Sequence, residues 1–282
     1  MASLAGPPKV SLEAKSPFEM RVQLGAAVPE TDVRSALKTG DMGFLHSFTT
    51  GSAVDGPGIR LVAWTTACMF RCQYCHNPDT WTLSNGMPVT LDQAIAEVRK
   101  YASGLTAMGG GFTLSGGEPL MQDRFAARLF GAVHAMGVHT AIETNGFFAD
   151  RLTDDELATI DLVILDMKAF SVDRHKQVTG GRDNQEVLSF ARRLAKLKRP
   201  TWLRYVLVPG LTDIAEEIDA LARFGASLGV IERVEILPFH QMGKYKWERL
   251  GLDYQLSDTE PPTHDAVARA VAVFRSAGVD AV

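Results

Sequence analysis

Three cysteines, Cys68, Cys72 and Cys75, fall within eight residues at the spacing C-x3-C-x2-C, and the chain holds no fourth. Thiolates are soft ligands, suited to zinc, copper(I) or iron–sulfur clusters. A zinc site would need a fourth ligand, and His76 is at hand. However, Cys75 and His76 are adjacent, and neighbouring side chains are poorly placed to complete one small tetrahedron. Structural zinc also draws its ligands in pairs from two separated segments. A [4Fe–4S] cubane has four irons, so three cysteines on one loop would leave one iron open. An open coordination position is where a substrate or cofactor can bind. Unbound core thiols are the remaining reading.

The elements that must carry this loop can be read from hydrophobic patterning. Short β-rich runs cover Ile59–Thr66, Gly111–Ser115, Val138–Glu143, Asp161–Asp166, Trp202–Val208 and Arg233–Leu237. Most are nearly continuous in apolar or β-branched residues, as in parallel strands covered on both faces. Helical patterns lie between and after them, at Thr90–Tyr101, Asp123–Met136, Thr153–Ala158, Asn184–Lys198, Asp213–Leu228 and Thr263–Ala277. Thr90 with Gln93 forms a capping-box arrangement, and Gly137 is a C-terminal stop. Strict alternation predicts a right-handed parallel α/β array, either a partial barrel or a doubly wound sheet. The unusual polar stretches all follow strands: the cysteines, Ser115-Gly116-Gly117-Glu118, Glu143-Thr144-Asn145, Asp166-Met167-Lys168, Pro209-Gly210 and Pro238-Phe239-His240. Ligands bind at the carboxyl ends of strands in such folds, so these loops should converge on one site.

Composition bounds what that site serves. The chain has 282 residues, 46% of them hydrophobic and 22% charged, with a net charge of −4. That describes a globular protein with no electrostatic reason to bind nucleic acid. No apolar run approaches the roughly 18 residues of a membrane span, and the N-terminus lacks a secretory pattern. Clustered cysteines cannot form a disulfide framework, so a reducing, cytoplasmic setting is expected. Residues 1–40 mix Pro, Gly, Ser and charges without periodicity and read as a flexible extension, leaving 41–282 as the working domain.

Beyond the spacing, the surroundings are specific. Asp55-Gly56-Pro57-Gly58-Ile59-Arg60, Tyr74-Cys75-His76-Asn77, Asp79-Thr80-Trp81, Ser115-Gly116-Gly117-Glu118 and Ile236-Leu237-Pro238-Phe239-His240 occur together. From Gly43 to the C-terminus the chain resembles the radical S-adenosylmethionine (SAM) activases of glycyl-radical enzymes, above all those serving pyruvate formate-lyase. The resemblance implies a partial (β/α)6 TIM-like barrel. It also implies that Cys68, Cys72 and Cys75 hold a [4Fe–4S] cluster and that SAM chelates the fourth iron. Reductive cleavage of SAM would give a 5′-deoxyadenosyl radical, which takes a hydrogen atom from a backbone glycine of the partner under anaerobic conditions. No acid–base pair is required.

By the same resemblance, Tyr74 and His76 line the adenine side, and His240 also contacts adenine. Gly117 lets the backbone approach the methionyl amino group. Asp166, Met167, Lys168, Ala169 and Phe170 run beneath SAM, and Arg204, within a predicted strand, points into the barrel to meet the SAM carboxylate. The relatives carry Asp-Thr-Asn-Gly where this chain has Glu143-Thr144-Asn145-Gly146. There the acid and Thr, with the counterpart of Asp166, hold a monovalent cation, so Glu143, Thr144 and Asp166 are the candidates here. Asp55 is a candidate contact for the substrate peptide. A reduced flavodoxin or ferredoxin is the implied electron donor, and no extra cysteine-rich insertion is present. Two other readings stay open: a radical SAM enzyme acting on another glycyl-radical enzyme or a small molecule, and a non-catalytic zinc or cluster-binding interaction protein.

Overall fold

The computed structural model describes residues 33–282. Most of the expected extension therefore lies outside the described residues. Its end, α1 (Val33–Thr39), packs on β1 (Met42–Ser52) and on α3 (Asp123–Ala135). The remaining elements, in chain order, are β2 (Arg60–Thr65), β3 (Met87–Thr90), α2 (Leu91–Ala107), β4 (Gly111–Gly116), then α3 and β5 (His139–Thr144). They continue with α4 (Asp154–Ala158), β6 (Leu162–Asp166), α5 (Val172–Thr179), α6 (Gln185–Lys196), β7 (Thr201–Leu207), α7 (Ala215–Leu228), β8 (Ile231–Pro238), α8 (Lys244–Arg249) and α9 (His264–Ser276). No helix among the described residues is long and apolar enough to cross a membrane.

All strands among the described residues form one open sheet in the order β3-β1-β2-β4-β5-β6-β7-β8. The six predicted strands are the parallel part, β2 to β8. Two further strands, β1 and β3, extend the sheet antiparallel on its β2 side. Pro88 sits in β3 at the sheet edge, where a missing N–H costs no ladder bond. The Thr90–Gln93 capping box at α2 is present, with Gln93 N donating to Thr90 Oγ1 at 3.2 Å and Thr90 N to Gln93 Oε1 at 2.9 Å.

Strand alternation sorts the side chains. Leu61, Leu114, Ile142, Leu165, Leu203 and Ile236 point outward into the main core beneath the helices. Each such buried side chain contributes about 1.5–3 kcal/mol relative to exposure. The inner face begins apolar, with Ala141, Leu162, Ile164 and Trp202 in a separate small cluster. Two residues further along the strands it becomes polar, at Ser115, Glu143, Asp166, Arg204 and Glu235, registered across the sheet as Asp166 opposite Arg204 and Arg204 opposite Glu235. The sheet is curved into a partial barrel: Arg204 on β7 donates to the carbonyl of Val54, which precedes β2.

Candidate active site

The cysteine loop leaves β2 at Ala67, whose φ of 75° is unusual for a residue with a side chain. Backbone bonds brace it on several sides: Cys68 N to Trp81 O at 3.1 Å, Arg71 N to Thr179 O at 2.9 Å and Gln73 N to Val178 O at 3.1 Å. A second apolar core, including Phe70, Tyr74, Val178, Phe239, Trp247 and Tyr254, packs around the loop. Trp247 of α8 donates its indole N–H to the Cys75 carbonyl at 2.8 Å. Lys246 reaches Asn77 Oδ1 at 2.8 Å and Asp79 Oδ2 at 3.1 Å, while His46 meets Asp79 from the other side at 3.3 Å.

Inside the loop lies a cavity of about 390 Å³. It brings together Cys68, Cys72, Cys75, Tyr74, His76, Gly117, Glu143, Thr144, Asp166, Lys168, Arg204, His240 and Asp55. Met167, Ala169 and Phe170 do not line it. Met167 and Ala169 are fully buried, and Phe170 packs on Phe224 with ring centroids 5.5 Å apart. Parity is the reason for Met167: it follows Asp166 at the end of β6 and turns to the outer core.

His76 and His240 stack at 4.0 Å between centroids, with planes 24° apart, and His76 Nε2 donates to the His240 carbonyl at 3.2 Å. Burial and the neighbouring His240 push His76 down to about 4, so this face of the cavity is uncharged at neutral pH. Lys168 is paired with Asp166 and sits 5.3 Å from the Tyr74 ring centroid. Burial alone would lower its pKa, but the Asp166 carboxylate, with Tyr74 and Cys72, raises it well above the ordinary range and keeps the ammonium charged.

Gly116 and Gly117 dock the end of β4 against the cysteine loop. A Cβ on Gly117 would lie 2.4 Å from the Ala67 carbonyl oxygen, and Gly117 N already donates to Thr65 O at 2.9 Å. The required close approach is thus to the loop's own backbone. Glu118, fully buried, accepts from Leu120 N at 2.9 Å, Thr144 Oγ1 at 2.7 Å and Asn145 N at 2.8 Å. Sequence reasoning quoted this residue but gave its side chain no role.

Arg204 does face the interior, as expected. Its anionic partners here are the chain's own: Glu143 at 2.5 Å, Glu235 at 2.7 Å and Asp55 at 3.8 Å. Glu143 also accepts from Ser115 Oγ at 2.6 Å, and although burial raises its pKa, Arg204 and Ser115 bring it below the ordinary range. Glu143, Thr144 and Asp166, the candidate cation ligands, are each engaged elsewhere: Glu143 with Arg204, Thr144 with Glu118, Asp166 Oδ2 with Lys168. Glu235 and Ser115 were missed, although two-residue alternation from Arg233 and Thr113 points both inward.

Two observations test the cavity as a cofactor site. Tyr74 and Asp166 line it, and Tyr74 Oη and Asp166 Oδ1 have no partner among the described residues; a buried polar atom left unbonded is costly unless a ligand completes it. Burial pushes the thiols up, Cys72 to about 12, so the three sulfurs become thiolates only when a metal centre supplies positive charge. Among the described residues no three His, Cys, Asp or Glu side chains are placed around a single metal ion, and a Cys3His zinc cage is not formed. The donor set fits a multinuclear cluster with a polar cofactor beside it.

Comparison with known proteins points the same way. The profile of the radical SAM superfamily matches residues 62–225. The chain is 44% identical over 235 residues to the pyruvate formate-lyase-activating enzyme of Staphylococcus epidermidis, covering 81% of this chain and 93% of that protein. A domain of the corresponding enzyme from Bacteroides vulgatus superposes with a TM-score of 0.52 at 24% identity, over 62% of this chain and 98% of that one. SuiB of Streptococcus suis, solved with its precursor peptide SuiA, superposes with a TM-score of 0.58 at 13% identity, over 78% of this chain and 48% of that one. The last two likenesses concern the fold.

Proposed function

The chain belongs to the radical SAM superfamily, and from that premise we propose that it activates pyruvate formate-lyase by making a glycyl radical on it. The observation that carries this reading is the three-cysteine loop closing over a cavity with unpartnered Tyr74 and Asp166 oxygens, in a chain 44% identical to such an activating enzyme. When bound, the [4Fe–4S] cluster and SAM supply the one-electron chemistry that removes a hydrogen atom from a glycine Cα.

The chain's residues divide the remaining work. Cys68, Cys72 and Cys75 hold the cluster. The uncharged His76–His240 stack offers a flat apolar face for an adenine ring, and Tyr74 borders it. Asp166 would accept from the cofactor's polar groups through Oδ1, with Lys168 holding its other oxygen. Packing of the cysteine loop against α8 and α5 excludes water from the thiol side. Glycine suits the role of target because no side chain shields its α-carbon. Asp55, which lines the cavity, would accept from the backbone N–H groups of the target loop.

The reading requires an external reductant, since the sequence has no cysteines for a second cluster; a reduced flavodoxin or ferredoxin fills that role. The cytoplasm is the setting that keeps three free thiols reduced.

The test is anaerobic reconstitution with iron and sulfide, followed by SAM, a reductant and pyruvate formate-lyase, with the electron paramagnetic resonance spectrum recorded. A glycyl-radical doublet on the lyase is expected. SAM cleaved to 5′-deoxyadenosine with no doublet would refute the partner, and no cleavage at all would refute the site.

A further inference from the structure

Between β1 and β2, residues 53–59 cross the open side of the half-barrel. Gly56 and Gly58, with φ of 124° and 69°, give this strap its turns. On the β2–β4 side it is fastened from within: Thr113 Oγ1 donates to the Asp55 carbonyl at 2.7 Å, and Arg60 donates to Thr113 Oγ1 at 2.9 Å and to the Pro57 carbonyl at 3.3 Å.

On the far side the fastening is Arg204. Three strands, β4, β5 and β6, separate β2 from β7 in the sheet, yet the Arg204 guanidinium donates to the Val54 carbonyl. Its other two nitrogens donate to Glu143 at 2.5 Å and to Glu235 at 2.7 Å. Each of the three guanidinium nitrogens thus donates to the protein itself. Glu143 is held independently by Ser115 Oγ. Glu235 grips Nε, the nitrogen nearest the flexible stem, and so fixes the plane in which the fork meets Val54.

We propose that Arg204 is a positioning residue that fastens the 53–59 strap across the half-barrel, and that Glu235 holds Arg204 in the fastening pose. Val54 at the strap is 71% exposed, and Leu237, at the end of β8 and lining the cavity, is 37% exposed. Leu237 lines the cavity that a glycine of another protein must reach, and Val54 offers an exposed apolar side chain on the strap beside Asp55; this step rests on the activase reading. Strap position then sets how well Asp55 and Val54 receive the incoming chain.

The competing assignment gives Arg204 to the SAM carboxylate, and the two separate cleanly. Amide hydrogen exchange is followed over residues 53–59 in the full chain, with and without the reconstituted cluster, for wild type and Glu235→Gln. Exchanging the carboxylate for a neutral amide oxygen removes the charge pairing from the Nε–H bond and predicts exchange of the strap about tenfold faster. The SAM dissociation constant is expected to stay unchanged, and the Michaelis constant for a glycine-loop peptide to rise while kcat holds. Glu235→Asp, which keeps the charge, is expected to restore slow exchange, and Arg204→Lys to loosen the strap further. Unchanged exchange at 53–59, with weaker SAM binding in Arg204→Lys, would overturn the proposal. The exchange readout needs no partner protein, so it stands apart from any failure of the activase reading.

Discussion

The indole N–H of Trp247 and the carbonyl of Cys75 are joined by a 2.8 Å hydrogen bond across 172 positions of sequence. Trp247 is 6% exposed and also packs edge-on to Trp81 and against Tyr254, each at 5.1 Å between ring centroids. The third cysteine is therefore held by a helix that lies beyond the last strand. Trp247→Phe keeps most of the packing and leaves a buried carbonyl unbonded, at a cost of about 1–3 kcal/mol. The expected outcome is a lower melting temperature and fewer irons retained per chain after reconstitution and desalting. Full iron retention would show that α8 does not support the loop.

Gly117 makes a sharper demand. A Cβ there would stand 2.4 Å from the Ala67 carbonyl oxygen and 3.0 Å from that of Thr80, both backbone atoms of the segment that carries the cysteines. Gly117→Ala must displace that backbone, and overpacking of this kind costs about 1–3 kcal/mol. Gly104 in α2 is the control, because a Cβ there meets nothing within 4 Å. Gly104→Ala is expected to stabilise the chain by about 0.5–1 kcal/mol through helix propensity. Urea denaturation of the two variants should therefore move in opposite directions; a neutral Gly117→Ala would mean the loop yields without strain.

What the sequence disclosed follows from where its periodicity was strong. The parallel strands are nearly continuous apolar runs covered on both faces, and all of them are found within a residue or two. β1, with the sequence MGFLHSFTTGS, mixes polar residues and glycines because it is covered differently from the parallel strands, and it escaped notice. α8, KYKWER, is short and mostly polar and docks on the cysteine loop, which no local pattern records; α5, VDRHKQVT, is equally short and polar, but its Ser171 N-cap and the left-handed Gly180 at its end were local signals left unused. Within the site, the cysteines and the inward turn of Arg204 were legible. The partners of Arg204 were not, since Glu143 and Glu235 lie 61 and 31 positions away and only register brings them together. Met167 shows a signal left unused: it directly follows the inward Asp166, so simple alternation sends it to the outer core.

Glu118 supplies a pH test. It is fully buried, and burial pushes its carboxyl up to about 7 while the bonds from Thr144, Leu120 and Asn145 pull the other way. A raised pKa means the folded chain keeps a proton that the unfolded chain, near 4.5, has already released. Stability from this group is thus full below about 4.5 and declines as pH rises to about 7, by on the order of 2–3 kcal/mol. Glu118→Gln cannot titrate, but its amide turns an N–H toward the Asn145 N–H and forfeits that bond, at about 1–3 kcal/mol. The variant is expected to be less stable than wild type at pH 5, with the gap closing by pH 8, in urea titrations of the metal-free chain. A gap that stays constant would mean that the three donors outweigh burial, so that Glu118 is ionised throughout and anchors the β4 and β5 loops as a carboxylate.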